Sequence, residues 1–388
     1  RMISAASFIE HLRELGRSHY AGVPCSFLKP FINYVISDRT LNYLGATSEG
    51  EAVGISMGAF LAGRKTVTMC QNSGLGNMVN PLTSLNYPFR VPTLLITTWR
   101  GEPGVKDEPQ HVLMGQITQQ LLETMRIPWL PFPREEGEIA GAVAKAEAYM
   151  AAEQLPFAFV MSHDTVAECE LENQPLPERV PCDVRQAIQL PAAERLIRTE
   201  ALQIILENLE GNEAILGTTG KTGRELFTIA DRPNHLYVVG GMGTASGIGF
   251  GVAQALPRQP VVVLDGDGAA LMKLGSLATI GYYQPQNLLH ILIDNESHDS
   301  TGGQRTVSGL VRFAEIAAAA NYRNAWSLDR REDVAAAVGE LRRRPGPSLL
   351  HIKIKAGSPS SLGRPTVKPH EVKERFVAFL KSNMSQMS

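Results

Sequence analysis

The sequence predicts an α/β protein built as two doubly wound parallel-sheet domains. Three observations predict it. Short apolar runs of strand length recur between longer stretches of helical period. Several of these runs are apolar almost throughout, as in strands covered on both faces. A proline-rich polar stretch near the middle splits the 388 residues into halves, each long enough to bury its own core.

Taken in order, the first half has strand candidates at 66–69, 93–97 and 157–161, with helical period at 117–125 and 136–153. The composition then changes. ENQPLPER at 172–179, running on through Pro181 and Pro191, has no period and reads as a linker. The expected boundaries are a first domain at 1–168, a linker at 169–196 and a second domain at 197–388. The second half has a helix at 199–209, strands at 214–216, 236–239, 261–264, 288–293 and 349–354, and a helix at 332–343. A Gly/Pro/Ser-rich crossing at 357–369 precedes a last helix at 371–382.

Composition excludes several classes. Apolar residues are 44% and charged residues 20%, too many apolar groups for a disordered chain. Lys plus Arg is 37 against 39 Asp plus Glu, so no general basic surface recommends a nucleic acid partner. No apolar run approaches the ~18 residues that span a bilayer, so no membrane partner is expected. Cys25, Cys70, Cys169 and Cys182 form no CxxC pair and no metal-ligand spacing. Reduced thiols in a cytoplasmic protein are expected, and no signal-like apolar run opens the chain.

The strongest chemical signal lies at 261–304. VVVLDGDG ends in Asp267 between Gly266 and Gly268, and LLHILIDN brings Asn295. Strand, loop, helix and strand between them make one right-handed βαβ unit. Both residues then stand at the carboxyl ends of adjacent strands, where open α/β sheets bind ligands. An Asp carboxylate, an Asn amide oxygen and the Ser297 carbonyl suit Mg²⁺, a hard cation that keeps phosphate oxygens in its shell. The flanking glycines let backbone N–H groups approach a diphosphate. Two nucleotide readings fail on spacing. Gly241, Gly243 and Gly247 do not make GxGxxG, and GTTGKTG lacks the first glycine of a P-loop, which would fall on Ile215.

This stretch resembles the cofactor motif of thiamine diphosphate enzymes, which runs from GDG to a paired Asn. Asp294 replaces the first Asn of the pair and adds a carboxylate beside the expected ligand. The resemblance implies thiamine diphosphate and Mg²⁺ as cofactors, with Asp267, Asn295 and Ser297 on the metal. It also implies a glutamate against N1′ of the aminopyrimidine. In SEGEAVGISMGAFLAG at 48–63, Glu49 stands nine positions before Gly58, as that pattern expects, whereas Glu51 falls out of place. GGMGTASGIGFGVAQA at 240–255 resembles the Gly-rich turn before GDG, with Gly241 at the cofactor and Met242 supporting its bent form.

With only about 28 linker residues there is no middle domain. GVPCSFLKP (22–30), QNSGLGN (71–77), NPLTSL (80–85), WRGEPGVKDEPQH (99–111), TTGKTGREL (218–226) and HDSTGGQ (298–304) together resemble the phosphonopyruvate decarboxylases, from about residue 5 to residue 380. The sulfopyruvate decarboxylases are close relatives with the same layout. The resemblance implies conversion of 3-phosphonopyruvate to phosphonoacetaldehyde and CO₂ through the coenzyme ylid, in phosphonate biosynthesis. Sulfopyruvate is the alternative substrate. A non-catalytic thiamine diphosphate-binding regulatory homologue is the alternative of another class, and Glu49 argues against it. Glu49, His111 and Ser26 are the implied catalytic residues. Cys25 stands where an acidic residue is common in the family, so that position's proton-transfer role does not carry over. Asn72, Thr218, Thr219, Gly220 and Thr301 are implied at the cofactor. A phosphonate needs cations or N–H donors, and Lys29, Arg100, Lys106 and Lys221 lie in the motif loops. The family layout also implies a homodimer or larger, with the cofactor at the subunit interface.

Overall fold

The computed structural model describes residues 2–172 and 174–387. It forms two compact units that divide between Leu176 and Pro177.

The first unit carries β1 (Arg17–Gly22), β2 (Asn42–Gly45), β3 (Lys65–Cys70), β4 (Leu94–Thr98), β5 (Trp129–Pro131) and β6 (Phe157–Met161), in the order β2-β1-β3-β4-β6-β5. Every pairing is parallel. Successive side chains leave a strand on opposite faces, and this sheet has a core on each. Met69, Ile96 and Phe159 join Phe8, Ile9 and Phe31 on one side. Cys70, Leu95 and Val160 join Val53, Leu75 and Leu122 on the other. The helix Glu49–Leu61 follows β2 and is buried along nearly its whole length, because its Gly, Ala and Ser positions let it lie close to the sheet. The strand order reverses between β1 and β3, the place where open parallel sheets bind ligands at their carboxyl ends.

The second unit carries β7 (Asp183–Ala187), β8 (Ala214–Gly217), β9 (His235–Tyr237), β10 (Val261–Gly266), β11 (Leu288–Asp294), β12 (Ser297–His298), β13 (Gln304–Arg305), β14 (Asn324–Leu328) and β15 (Ser348–Lys353). Seven of them form a parallel sheet in the order β7-β14-β15-β11-β10-β8-β9, while β12 and β13 make a short antiparallel ribbon. The reversal of strand order falls between β8 and β10. The helix Ala245–Ala255 lies flat on β10. A Cβ at Gly249 would stand 2.3 Å from Val263 Cγ2, so the glycine is what permits the approach.

Both units are thus doubly wound parallel-sheet α/β, as the apolar runs predict. Strands without such a run escape the sequence reading. β14 (NAWSL) buries Asn324 and Ser327 only because they bond to Ser348 and His351. β7 lies inside the 169–196 stretch and pairs with β14 as an edge strand, its middle residues exposed. Among the described residues, no helix is long and apolar enough to cross a membrane. All four cysteines are free.

Candidate active site

In the second unit, β10 and β11 run parallel as neighbours, with Val261 opposite Leu288 and Gly266 opposite Ile293. Asp267 opens the helix directly after β10, and Asn295 directly follows β11. The loop Thr218–Gly220 follows β8, on the other side of β10. One open cavity at these strand ends is lined by Thr218, Thr219, Gly220, Lys221, Met242, Gly266, Asp267, Gly268, Asn295 and Ser297. Gly241 adjoins it in a turn where Gly240, Gly241 and Gly243 all have positive φ. Thr301 does not line it. Its hydroxyl instead donates to Gln304 Oε1 at 2.9 Å, across the turn between β12 and β13.

The second unit's polar groups are individually placed. Asp267 is 3% exposed, and its Oδ2 accepts from Ser308 Oγ at 2.9 Å and from Thr306. Burial pushes its carboxyl above the ordinary range against the Thr306 hydrogen bond, and the charge of Asp294 adds to the rise. Asn295 Nδ2 donates to Asp299 Oδ2 at 2.8 Å, and its Oδ1 accepts from Ser297 N at 3.1 Å. Asp299 also accepts from the buried Arg198 at 2.8 Å, and Arg198 pairs with Glu225 at 2.9 Å. Asp294 turns away into its own fold, to His351 at 2.9 Å and Lys353 at 2.8 Å. Burial opposes its charge, but those hydrogen bonds prevail and hold its carboxyl well below the usual range. The extra carboxylate seen in the sequence is therefore already neutralised by partners of its own.

These residues fit a metal-bound diphosphate. Thr218 Oγ1 is buried at the cavity without a hydrogen-bond partner among the described residues, and an incoming phosphate oxygen would supply one. A cation beside Asp267 would relieve the cost of its buried charge. Among the described residues, no cluster of three or more His, Cys, Asp or Glu side chains has metal-holding geometry. A site of one carboxylate, one amide and a carbonyl has a different donor set.

In the first unit, Glu49 begins its helix after the Ser48 cap. Its Oε2 accepts from Asn77 Nδ2 at 2.7 Å. Gly74 lies against it so closely that a Cβ there would stand 2.5 Å from Glu49 Oε1. Glu51, 1% exposed, instead accepts from Thr47 N and Thr47 Oγ1, both at 2.7 Å, and serves the helix start. Asn72 is fully buried and donates to Arg100 O at 2.8 Å and Thr118 Oγ1 at 2.9 Å. Arg100 reaches Ser26 Oγ at 3.4 Å. The buried Cys25 thiol sits next to Ser26 and donates to Gln71 Oε1 at 3.4 Å. His111 is buried at 6% exposure, its Nδ1 without a hydrogen-bond partner among the described residues. Ser26, Gln71, Asn72 and Arg100 follow β1, β3 and β4, so they share one end of the sheet with Glu49. Two of the candidate cations lie apart. Lys29 is committed to Glu168 at 2.7 Å on the surface, and Lys106 is exposed in its loop.

Residues 2–122 match the thiamine pyrophosphate enzyme N-terminal TPP binding domain, and residues 217–352 match the C-terminal TPP binding domain. A phosphonopyruvate decarboxylase from Streptomyces viridochromogenes is 47% identical over 98% of this chain and 95% of its own. One from Streptomyces hygroscopicus is 45% identical over 97% and 94%. This chain belongs to the phosphonopyruvate decarboxylase family of thiamine diphosphate enzymes. A sulfopyruvate decarboxylase from Methanosarcina acetivorans is more distant, at 27% identity over 95% of each chain.

In this decarboxylase the sequence motifs mark the strand ends but not the groups that hold them in place. Thr306 and Ser308 on Asp267, Asp299 and Arg198 behind Asn295, Asn77 beside Glu49 and Asp107 on Arg100 all lie outside the residues singled out from the sequence. His298 also lines the cavity, from within HDSTGGQ. For Asn77, Asp107, His298 and Asp299 there was a signal, since each sits inside a quoted motif, whereas Arg198, Thr306 and Ser308 lie outside them.

Proposed function

We propose that the protein decarboxylates 3-phosphonopyruvate to phosphonoacetaldehyde and CO₂, a step of phosphonate biosynthesis. The observation that carries the reading is full-length similarity to phosphonopyruvate decarboxylases at 45–47% identity. The cavity at the ends of β8, β10 and β11 supports it. Thiamine diphosphate, when bound, supplies the electron sink that a 2-oxo acid needs in order to lose CO₂. Asp267, Asn295 and the Ser297 carbonyl would hold Mg²⁺. Thr218, Thr219 and Gly220 would take the diphosphate oxygens, with Gly241, Met242, Gly266, Gly268 and Asn72 as further cofactor contacts. Glu49 would hydrogen-bond the aminopyrimidine ring nitrogen and keep a proton there. His111 and Ser26 would assist protonation of the carbon that CO₂ leaves. Arg100 and Lys221 are the cations proposed for the substrate, since Lys29 and Lys106 lie apart.

We take the pyrimidine-binding part as 1–168 and the diphosphate-binding part as 197–388, joined by 169–196. The working unit is a homodimer or larger in the cytoplasm, with cofactor held between Glu49 of one subunit and Asp267 of another. The test is an assay of the purified protein on 3-phosphonopyruvate and sulfopyruvate side by side, with and without thiamine diphosphate and Mg²⁺. Phosphonoacetaldehyde should form only when both cofactors are present. Faster turnover of sulfopyruvate would overturn the substrate, and turnover of neither would favour the non-catalytic homologue.

A further inference from the structure

Arg100 stands two residues beyond β4 and is held along one edge. Its Nε donates to Asp107 Oδ2 at 2.8 Å and its Nη2 donates to Asp107 Oδ1 at 2.5 Å. Asp107 is fixed in turn by the backbone N–H groups of Gly101 and Glu108, each at 2.8 Å. The Arg100 hydrogen bond, with these two, holds the Asp107 carboxyl well below its usual range. Neither side chain is a loose surface group, at 16% and 14% exposure. A guanidinium is a planar fork, so pairing through Nε and Nη2 leaves Nη1 pointing elsewhere. Nη1 faces Ser26 Oγ at 3.4 Å. The guanidinium also lies over the Phe27 ring, 5.0 Å from its centroid.

The loop that carries this pair is itself fastened. Trp99 Nε1 donates to Gly115 O at 2.8 Å, and Asn72 holds Arg100 O. Gly101, with φ +73°, packs directly on the His111 backbone. The loop therefore carries a preoriented cation whose Nη1 makes only a long hydrogen bond to Ser26, a residue proposed to serve the reacting carbon.

We infer that Asp107 is a positioning residue that aims Arg100 Nη1 at the phosphonate of the substrate. The pair thereby selects 2-oxo acids with an anionic head group. This rests on the proposed reaction for the identity of the substrate. Asp107 does not touch substrate. It removes the freedom of a long side chain before binding, and the backbone donors share its charge, so the guanidinium remains a donor to an incoming anion.

The test uses the holoenzyme, with Asp107→Asn, Arg100→Lys and the double variant, each checked for fold by circular dichroism. Two readouts are taken: KM and kcat on 3-phosphonopyruvate and on pyruvate, and equilibrium binding of phosphonoacetate, a non-reacting phosphonate. Asp107→Asn should raise KM for 3-phosphonopyruvate roughly 10–100-fold, the scale of a lost charge-assisted hydrogen bond. Its kcat should stay within about threefold, as loss of uniform binding implies. Phosphonoacetate binding should weaken in parallel, kcat/KM on pyruvate should hold, and the double variant should be no worse than Arg100→Lys alone. Equal losses on both substrates, a fall in kcat at constant KM, or unchanged phosphonoacetate binding would overturn the inference. A wild-type protein that binds phosphonoacetate through this pair without releasing CO₂ from 3-phosphonopyruvate would support the clamp while sinking the reaction.

Discussion

Glu49 owes its place to a glycine two elements away. Gly74 leaves room for the carboxylate, and Asn77 on the following turn holds one of its oxygens. Glu49→Gln is close to isosteric and should keep the fold while lowering turnover by roughly 10²–10⁴, the usual worth of a positioned acid–base group. Steady-state CO₂ release alongside a thermal melt checks both halves, and wild-type turnover would remove Glu49 from the chemistry. The spacing to Gly58 favours Glu49 over Glu51 in the sequence. The structure adds a physical reason, since Glu51 is spent on Thr47. The setting of Asp267 was not legible. Its hydroxyl partners, Thr306 and Ser308, come 39 and 41 residues later in sequence with no pattern around them. They meet Asp267 only because the chain returns along the ribbon of β12 and β13.

At the scale of elements, the loop from Trp99 to His111 is closed against the start of the helix Val112–Thr124. A Cβ on Gly115 would lie 1.7 Å from Gly101 O, which is backbone and cannot step aside. Gly115→Ala should therefore push the loop off its helix, at a cost of about 1–3 kcal/mol for an overpacked contact. A lowered melting temperature and faster tryptic cleavage at Lys106 are the expected signs, and an unchanged digestion pattern would show that the loop tolerates the methyl group. Strand recognition in the sequence followed hydrophobic continuity. The central strands β10, β11 and β15 are built around apolar runs and are buried at every position but one. β1 carries Arg17, Ser18 and His19 and was invisible, because its Arg17 is buried by pairing with Glu147 at 2.5 Å, a partner 130 residues away. Tertiary context paid for a strand that local pattern does not announce.

For the whole molecule, two properties follow. His235 is fully buried on β9, and burial lowers its pKa from 6.5 to about 4. Between those values the unfolded chain binds the proton more readily than the folded one. The contribution is therefore intact above pH 6.5 and is lost progressively as pH falls towards 4. The full loss amounts to about 3 kcal/mol, at 1.36 kcal/mol per pKa unit. Denaturant unfolding at pH 7 and pH 4.5 should show a smaller drop in His235→Gln than in the wild type, and equal drops would exclude His235 as the source. The proposed oligomer has its own signature. Glu49→Gln and Asp267→Ala proteins, each inactive alone, should regain about a quarter of wild-type activity after subunit exchange, since half the dimers then hold one intact site of two. No regain after verified exchange would place both residues of a working site in one chain. The two-domain plan was legible because each half repeats the same alternation of runs. The edge strand β7 was not, because Asp183–Ala187 is polar and lies among prolines.

Arg198 has one more consequence. Besides Glu225 and Asp299 it donates to Ser358 Oγ at 3.2 Å, in the crossing that leads to the last helix. That crossing is thus wired to the amide of Asn295 through two side chains. On the role proposed for Asn295, a nick in that crossing should raise the thiamine diphosphate concentration needed for half-maximal activity, and an unchanged requirement would show the two are uncoupled.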